Sequence, residues 1–158
     1  MCLDKRKDRE GRFSMADQGR PDGTQLGKLR IPVRAIASKE ARDLVETVGR
    51  IWTISEEVID SAKLAVSELV TNVVCHSGGP EGDTLMVAIN RSGEMLMVEV
   101  HDNSPIVPVL RCADQFDTSG RGMLLIACYT DDHGCDITPH GKAMWFAIKS
   151  DWPPDIAA

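Results

Sequence analysis

Apolar residues recur with helical spacing through the middle of the chain, at Val58, Ile59, Ala62, Ala65, Val66, Leu69, Val70, Val73 and Val74. This predicts one long amphipathic helix, opened by Ser55 as an N-cap and by Glu56 and Glu57 at the positive end of the helix dipole. An earlier helix is predicted from Ser38, with Ala41, Leu44, Val45, Val48 and Trp52 on one face. KLRIPV reads as a first strand, and TLMVAIN and MLMVEVH as an antiparallel pair joined through Arg91, Ser92, Gly93 and Glu94. A short apolar helix from Met123 to Cys128 precedes two last strands, CDITP and KAMWFAI, which flank His140 and Gly141. Strand, two helices, two strands, helix and two strands predict an α+β fold. Its form is a two-layer α/β sandwich with helices on one face of a mainly antiparallel sheet.

Three polar features interrupt this pattern. At about 100° per residue, Asn72 falls on the edge of the long helix's apolar stripe and Glu68 about 40° further round, with Ser61 above and Cys75 below. Polar residues beside an apolar stripe are usually solvated surface, so the pair by itself specifies no chemistry. Asp102 ends the MLMVEVHD run in the same alternation class as Leu96, Val98 and Val100, which points its carboxylate to the buried face, where it needs a donor. Gly120, Arg121 and Gly122 form a turn leading into the short helix. Its glycines allow a tight backbone, the first helical N–H groups lack internal partners, and the guanidinium adds charge, a combination suited to polyphosphate. An isolated Gly-Arg-Gly is more often an ordinary loop.

The order and spacing of these features resemble the N box, first glycine box and second glycine box of the ATPase superfamily shared by histidine kinases, DNA gyrase, the heat-shock chaperone and the MutL repair proteins. The resemblance spans about Leu29 to Lys149 and is strongest to the stand-alone branch of anti-sigma-factor serine/threonine kinases. It implies a Bergerat-type sandwich with ATP held between the sheet and the helices. It also implies that Asn72 offers one oxygen to a magnesium ion bridging the phosphates, and that Glu68 acts as general base toward the hydroxyl of a protein substrate. Asp102 would accept from the exocyclic amine of adenine, while Gly120, Arg121 and Gly122 would hold the β- and γ-phosphates.

Two departures from the family pattern bear on the activity. Where the first glycine box usually runs aspartate, any residue, glycine, any residue, glycine, this chain has Asp102, Asn103, Ser104, Pro105 and Ile106. A Ser-Pro form of this box resembles that of the stand-alone kinase branch. On the closing strand, Ala143 is read as the position that often carries a threonine near adenine. The lid between Pro105 and Gly120 is short and has no further glycines. These departures keep open an alternative in which ATP only orders a partner-binding surface, without phosphate transfer.

Composition narrows the partners. The chain has 158 residues, 42% hydrophobic and 27% charged, enough for one domain with one core. A net charge of −6, with no basic stripe in the folded region, argues against direct nucleic-acid binding. The lack of a long apolar run or secretory pattern argues for a cytoplasmic protein without a membrane partner. Five cysteines, at Cys2, Cys75, Cys112, Cys128 and Cys135, form no CxxC pair, which favours reduced and partly buried thiols. His133, Cys135 and His140 match no zinc spacing.

Residues 1–25 are expected to be a disordered charged tail, with Lys5, Arg6, Lys7, Arg9 and Arg12 clustered within it and Met15 as an alternative start. Residues 26–150 are the expected ATP-binding domain, and residues 151–158, which contain Pro153 and Pro154, a C-terminal tail. The expected partners are ATP with Mg2+, and a sigma factor or an anti-anti-sigma antagonist. A homodimer stays open, since the family commonly pairs through its sheet edge or first helix.

Overall fold

A computed structural model describes residues 23–76, 82–102, 121–139 and 141–154. The chain runs β1 (Gly23–Pro32), α1 (Ala37–Ile51), α2 (Glu56–His76), β2 (Thr84–Ser92), β3 (Met95–Asp102), α3 (Arg121–Tyr129), β4 (Asp132–Thr138) and β5 (Gly141–Lys149). The five strands form one sheet in the order β1-β2-β3-β5-β4, and every neighbouring pair is antiparallel. This is the α+β sandwich expected from the order of the apolar runs.

Most differences from the expected elements lie at boundaries. β1 begins at Gly23, ahead of the KLRIPV run, because Gly23, Thr24 and Gln25 pair with Ser92, Arg91 and Asn90 despite having little apolar character. A neighbouring strand can recruit polar residues that no hydrophobic period announces. β4 likewise begins at Asp132, three residues before CDITP. Residues 1–22, the lid from Pro105 to Gly120 and residues 155–158 lie outside the described residues.

One cluster joins the two layers. Ala41, Val45 and Val48 of α1 and Ile59, Ala62, Val66, Leu69, Val70 and Val73 of α2 pack with the inward rows Leu85, Val87, Ile89, Leu96, Val98, Val100, Met144, Phe146 and Ile148. Ile126 of α3 completes it. Glycines let the elements approach closely. A Cβ on Gly27 would lie 2.7 Å from Val48 Cγ2, and one on Gly49 would lie 2.6 Å from Ile59 Cγ1. The opposite face of the sheet carries a smaller buried cluster of Met97, Trp145 and Ala147, with the Trp145 ring 2.8 Å from where a Gly134 Cβ would sit. Both faces of β5 are therefore buried, which is why KAMWFAI reads as a continuous apolar run and not as an alternation.

The connection from α1 to α2 is built by backbone hydrogen bonds. Thr53 N donates to Arg50 O and Ile54 N donates to Gly49 O, while Ile54 is buried beyond the turn, which together make a Schellman end. Thr53 adopts φ 55, a conformation usually left to glycine at this position. Ser55 then caps α2 as expected, its Oγ accepting from Val58 N at 3.3 Å. On the surface, Arg50 bonds Glu56 at 2.7 Å and Glu46 at 3.1 Å, and Lys63 reaches Glu46 at 3.3 Å. The hydrogen bonds from Arg50 and Lys63 hold the Glu46 carboxyl below its ordinary range, and those to Glu56 and Glu46 raise the Arg50 guanidinium.

The cysteines depart from expectation. Cys75 and Cys128 carry free thiols but are exposed, not partly buried, and Cys135 is disulfide-bonded. A missing CxxC pair and an odd total do not exclude a bridge, because pairing depends on which Cβ atoms the fold brings within about 4 Å.

The left-handed Thr53 gives a direct test. Thr53→Gly removes the Cβ clash of a β-branched residue in this conformation and is expected to raise the unfolding free energy by about 1 kcal/mol in a urea titration. A decrease would mean that the Thr53 side chain stabilises the turn by more than its backbone costs.

Candidate functional site

The rotation of α2 about its axis is set by a polar seam with α1. Ser38 Oγ lies 3.0 Å from Thr71 Oγ1, and Arg42 donates to Ser67 Oγ at 2.6 Å. Positions 67 and 71 therefore face α1, and positions 68 and 72 turn about 100° away from that seam. The core residues Leu69, Val70 and Val73 hold the other side. As a result Asn72 is only 5% exposed while Glu68, one turn earlier, remains half-buried. The Nδ2 of Asn72 finds no hydrogen-bond partner among the described residues. A buried amide group left in that state costs about 1–3 kcal/mol.

Asp102 closes β3 on the inward row of Leu96, Val98 and Val100, and is 5% exposed. Its cross-strand partners are Leu85 at the start of β2 and Lys142 at the start of β5. The same end of the sandwich receives the C-terminal half of α2, which leads into β2. α3 runs toward the far end, where Asp131 N donates to Ala147 O, so its first turn belongs to the end that holds Asp102. The topology thus gathers Glu68, Asn72, Asp102 and the start of α3 at one end, between the helical layer and the sheet.

Two sequence readings change here. Arg121 and Gly122 already belong to the first turn of α3, two residues before the predicted start at Met123, so their backbone forms the helix N-terminus itself. Gly120 lies outside the described residues. Ala143 pairs with His101 and Asp136, one position off the Asp102 row, and shares the outer face with Trp145. The residue facing Asp102 in register is Lys142, 4% exposed, which the apolar run around it concealed. The signal that could have found it was a lone lysine opening a strand buried on both faces.

A groove of about 770 Å³ opens at the other end, lined by residues including Leu64, Tyr129, Ile148 and Lys149, and holds none of the expected site residues. Among the described residues no group of three or more His, Cys, Asp or Glu side chains could hold a metal. No helix among them is long and apolar enough to cross a membrane.

Residues 31–148, most of the chain and nearly all of the described sandwich, match the model of the histidine kinase-like ATPase domain. The chain belongs to that family. No curated protein matches it significantly. Membership in the ATPase domain family supports ATP as the ligand. Within this ATPase domain, the Asn72 amide fits the magnesium of a nucleotide complex. A 180° turn about its last bond exchanges nitrogen for oxygen, and magnesium needs few protein oxygens when phosphates and waters supply the rest.

Because no hydrogen bond among the described residues depends on its Nδ2, Asn72→Ala should change folding stability by less than about 1 kcal/mol. Leu69→Ala, three positions earlier in the core, should cost about 2–5 kcal/mol. Urea denaturation of the two variants separates a residue reserved for ligand from one that holds the layers together.

Proposed function

We propose that this ATPase domain is a serine/threonine protein kinase of the anti-sigma-factor type, which binds a transcription-regulating partner and phosphorylates an antagonist protein. The observation that carries this reading is the contrast along one turn of α2, with a buried amide at Asn72 and a half-exposed carboxylate at Glu68. A residue serving nucleotide binding alone has no need of a carboxylate that solvent, and therefore a protein hydroxyl, can reach.

In this mechanism Asn72 would hold the magnesium of the nucleotide, which would supply charge to offset that on the phosphates. Glu68 takes the proton of the attacking serine or threonine hydroxyl, the new O–P bond forms at the γ-phosphorus, and the bond to the bridging oxygen breaks to leave ADP. The α3 N-terminus, with Gly120, Arg121 and Gly122, supports the phosphates through backbone donors and the guanidinium. Asp102 accepts from the adenine amine, a contact that guanine cannot make because it presents a carbonyl there.

A second reading, in which ATP only orders a partner-binding surface, is favoured by the Asn103-Ser104-Pro105-Ile106 sequence in place of glycines after Asp102. A γ-phosphate transfer assay with candidate antagonist proteins decides between them. Glu68→Gln should retain ATP–Mg binding and lose at least about 100-fold in transfer. Equal transfer by both proteins removes Glu68 from the mechanism, and no transfer by either leaves the binding module as the function. Asp102→Asn should weaken ATP and relax discrimination against GTP in calorimetric titrations, whereas unchanged preference would place the carboxylate away from the base.

A further inference from the structure

The groove at the end of the sandwich away from Asn72 and Asp102 is lined by charge of mostly one sign. Glu57 and Asp60 stand on the first turns of α2, Asp131 follows α3 and Asp151 follows β5, and all four are exposed. Among the described residues no cation pairs with Glu57, Asp60 or Asp151. The lysine of the lining, Lys149, is turned to Glu94 at 3.6 Å, and its backbone N–H donates to Asp131 at 2.7 Å. The lining also includes Leu64 and Tyr129, which are 45% and 42% exposed. Exposed apolar side chains within an acidic lining are complementary to a segment that carries cations beside an apolar side chain.

The chain has such a segment ahead of β1. From Lys5 to Phe13 it reads KRKDREGRF, with Lys5, Arg6, Lys7, Arg9 and Arg12 against Asp8 and Glu10, and an aromatic ring at its end. It also joins the fold at the end where the groove lies. Gly23 pairs with Ser92, Ser92 with Met95 and Met95 with Lys149, so the first residue of β1 shares a cross-sheet row with the groove wall. In the order β1-β2-β3-β5 that row crosses three strand spacings, about 14 Å. The residues from Phe13 to Asp22 cover up to about 33 Å when extended. We propose that Lys5 to Phe13 dock in this groove of their own chain, the cations against Glu57, Asp60 and Asp151 and the Phe13 ring against Leu64 and Tyr129. Exposed ion pairs are individually weak, but a tether of this length holds the segment at about millimolar effective concentration, so a weak contact suffices. The docking involves no nucleotide and stands apart from the kinase reading.

The test uses the full chain and two readouts. A carbodiimide, which joins an ammonium to a carboxylate it touches, should link Lys5 or Lys7 to Glu57, Asp60, Asp131 or Asp151 in peptides read by mass spectrometry. Raising the salt to about 0.5 M should remove most of these links, because it screens contacts between exposed charges. The second readout is Cys128, an exposed free thiol in the groove lining, with Cys75 in the last turn of α2 as the reference. Combining Lys5→Glu, Arg6→Glu, Lys7→Glu, Arg9→Glu and Arg12→Glu should speed alkylation of Cys128 by iodoacetamide at least about 3-fold relative to Cys75. Added negative charge alone would slow the reaction by disfavouring the thiolate, so acceleration reports uncovering of the groove. Adding Glu57→Lys, Asp60→Lys and Asp151→Lys to that protein should restore the slow rate. Links from Lys5 and Lys7 only to acids elsewhere, or a Cys128 rate unchanged by charge reversal, overturn the proposal. So do links found only between differently labelled copies in an isotopically mixed sample, since the occupant is then a second copy.

Discussion

The structure depends on the burial of α2 against the inward rows of β3 and β5. Ile59, Ala62, Val66, Leu69, Val70 and Val73 share one cluster with Val98, Val100, Met144 and Phe146, so the helix cannot rotate without exposing large apolar area. That constraint determines where the polar residues of α2 go. Ser67 and Thr71 meet α1, and Glu68 and Asn72 are left facing the end where β3 stops and β5 starts. This end is the part of the α2 surface not committed to the core or to α1.

The same logic explains why the polar residues at this end differ in environment. Asn72 and Asp102 lie on rows continuous with the core and are buried, whereas Glu68, one turn earlier on α2, is only partly buried. A buried amide and carboxylate are suited to fixed recognition of a ligand, because burial removes competing water and restricts their rotamers. A half-exposed carboxylate is suited to meeting a mobile reactant.

Much of this was legible in the sequence for a physical reason. The 3.6-residue period of α2 and the alternation of β3 report burial on one face, and burial on one face is what sets the direction of Asn72 and Asp102. The Ser55 cap was readable because capping is a local interaction between a side chain and a backbone N–H three residues on. The polar opening of β1 was not, since its pairing with β2 is a long-range interaction that leaves no period in Gly23, Thr24 and Gln25. Nor was the Cys135 disulfide, which depends on spatial proximity alone.

The strongest contrast lies on β5. From sequence, an apolar run with a lysine near its start assigns neither face, because a strand buried on both sides has lost the alternation that would orient it. Ala143 and Lys142 could exchange roles without any change in the pattern. Only the register against β3 sets Lys142 across from Asp102 and turns Ala143 outward toward Trp145. By itself the sequence determined the elements, their order and the inward direction of the residues on half-buried surfaces, since those follow from local periodicity. Which residues face one another across the sheet was decided by tertiary structure, because register is set by hydrogen bonds between segments far apart in the chain.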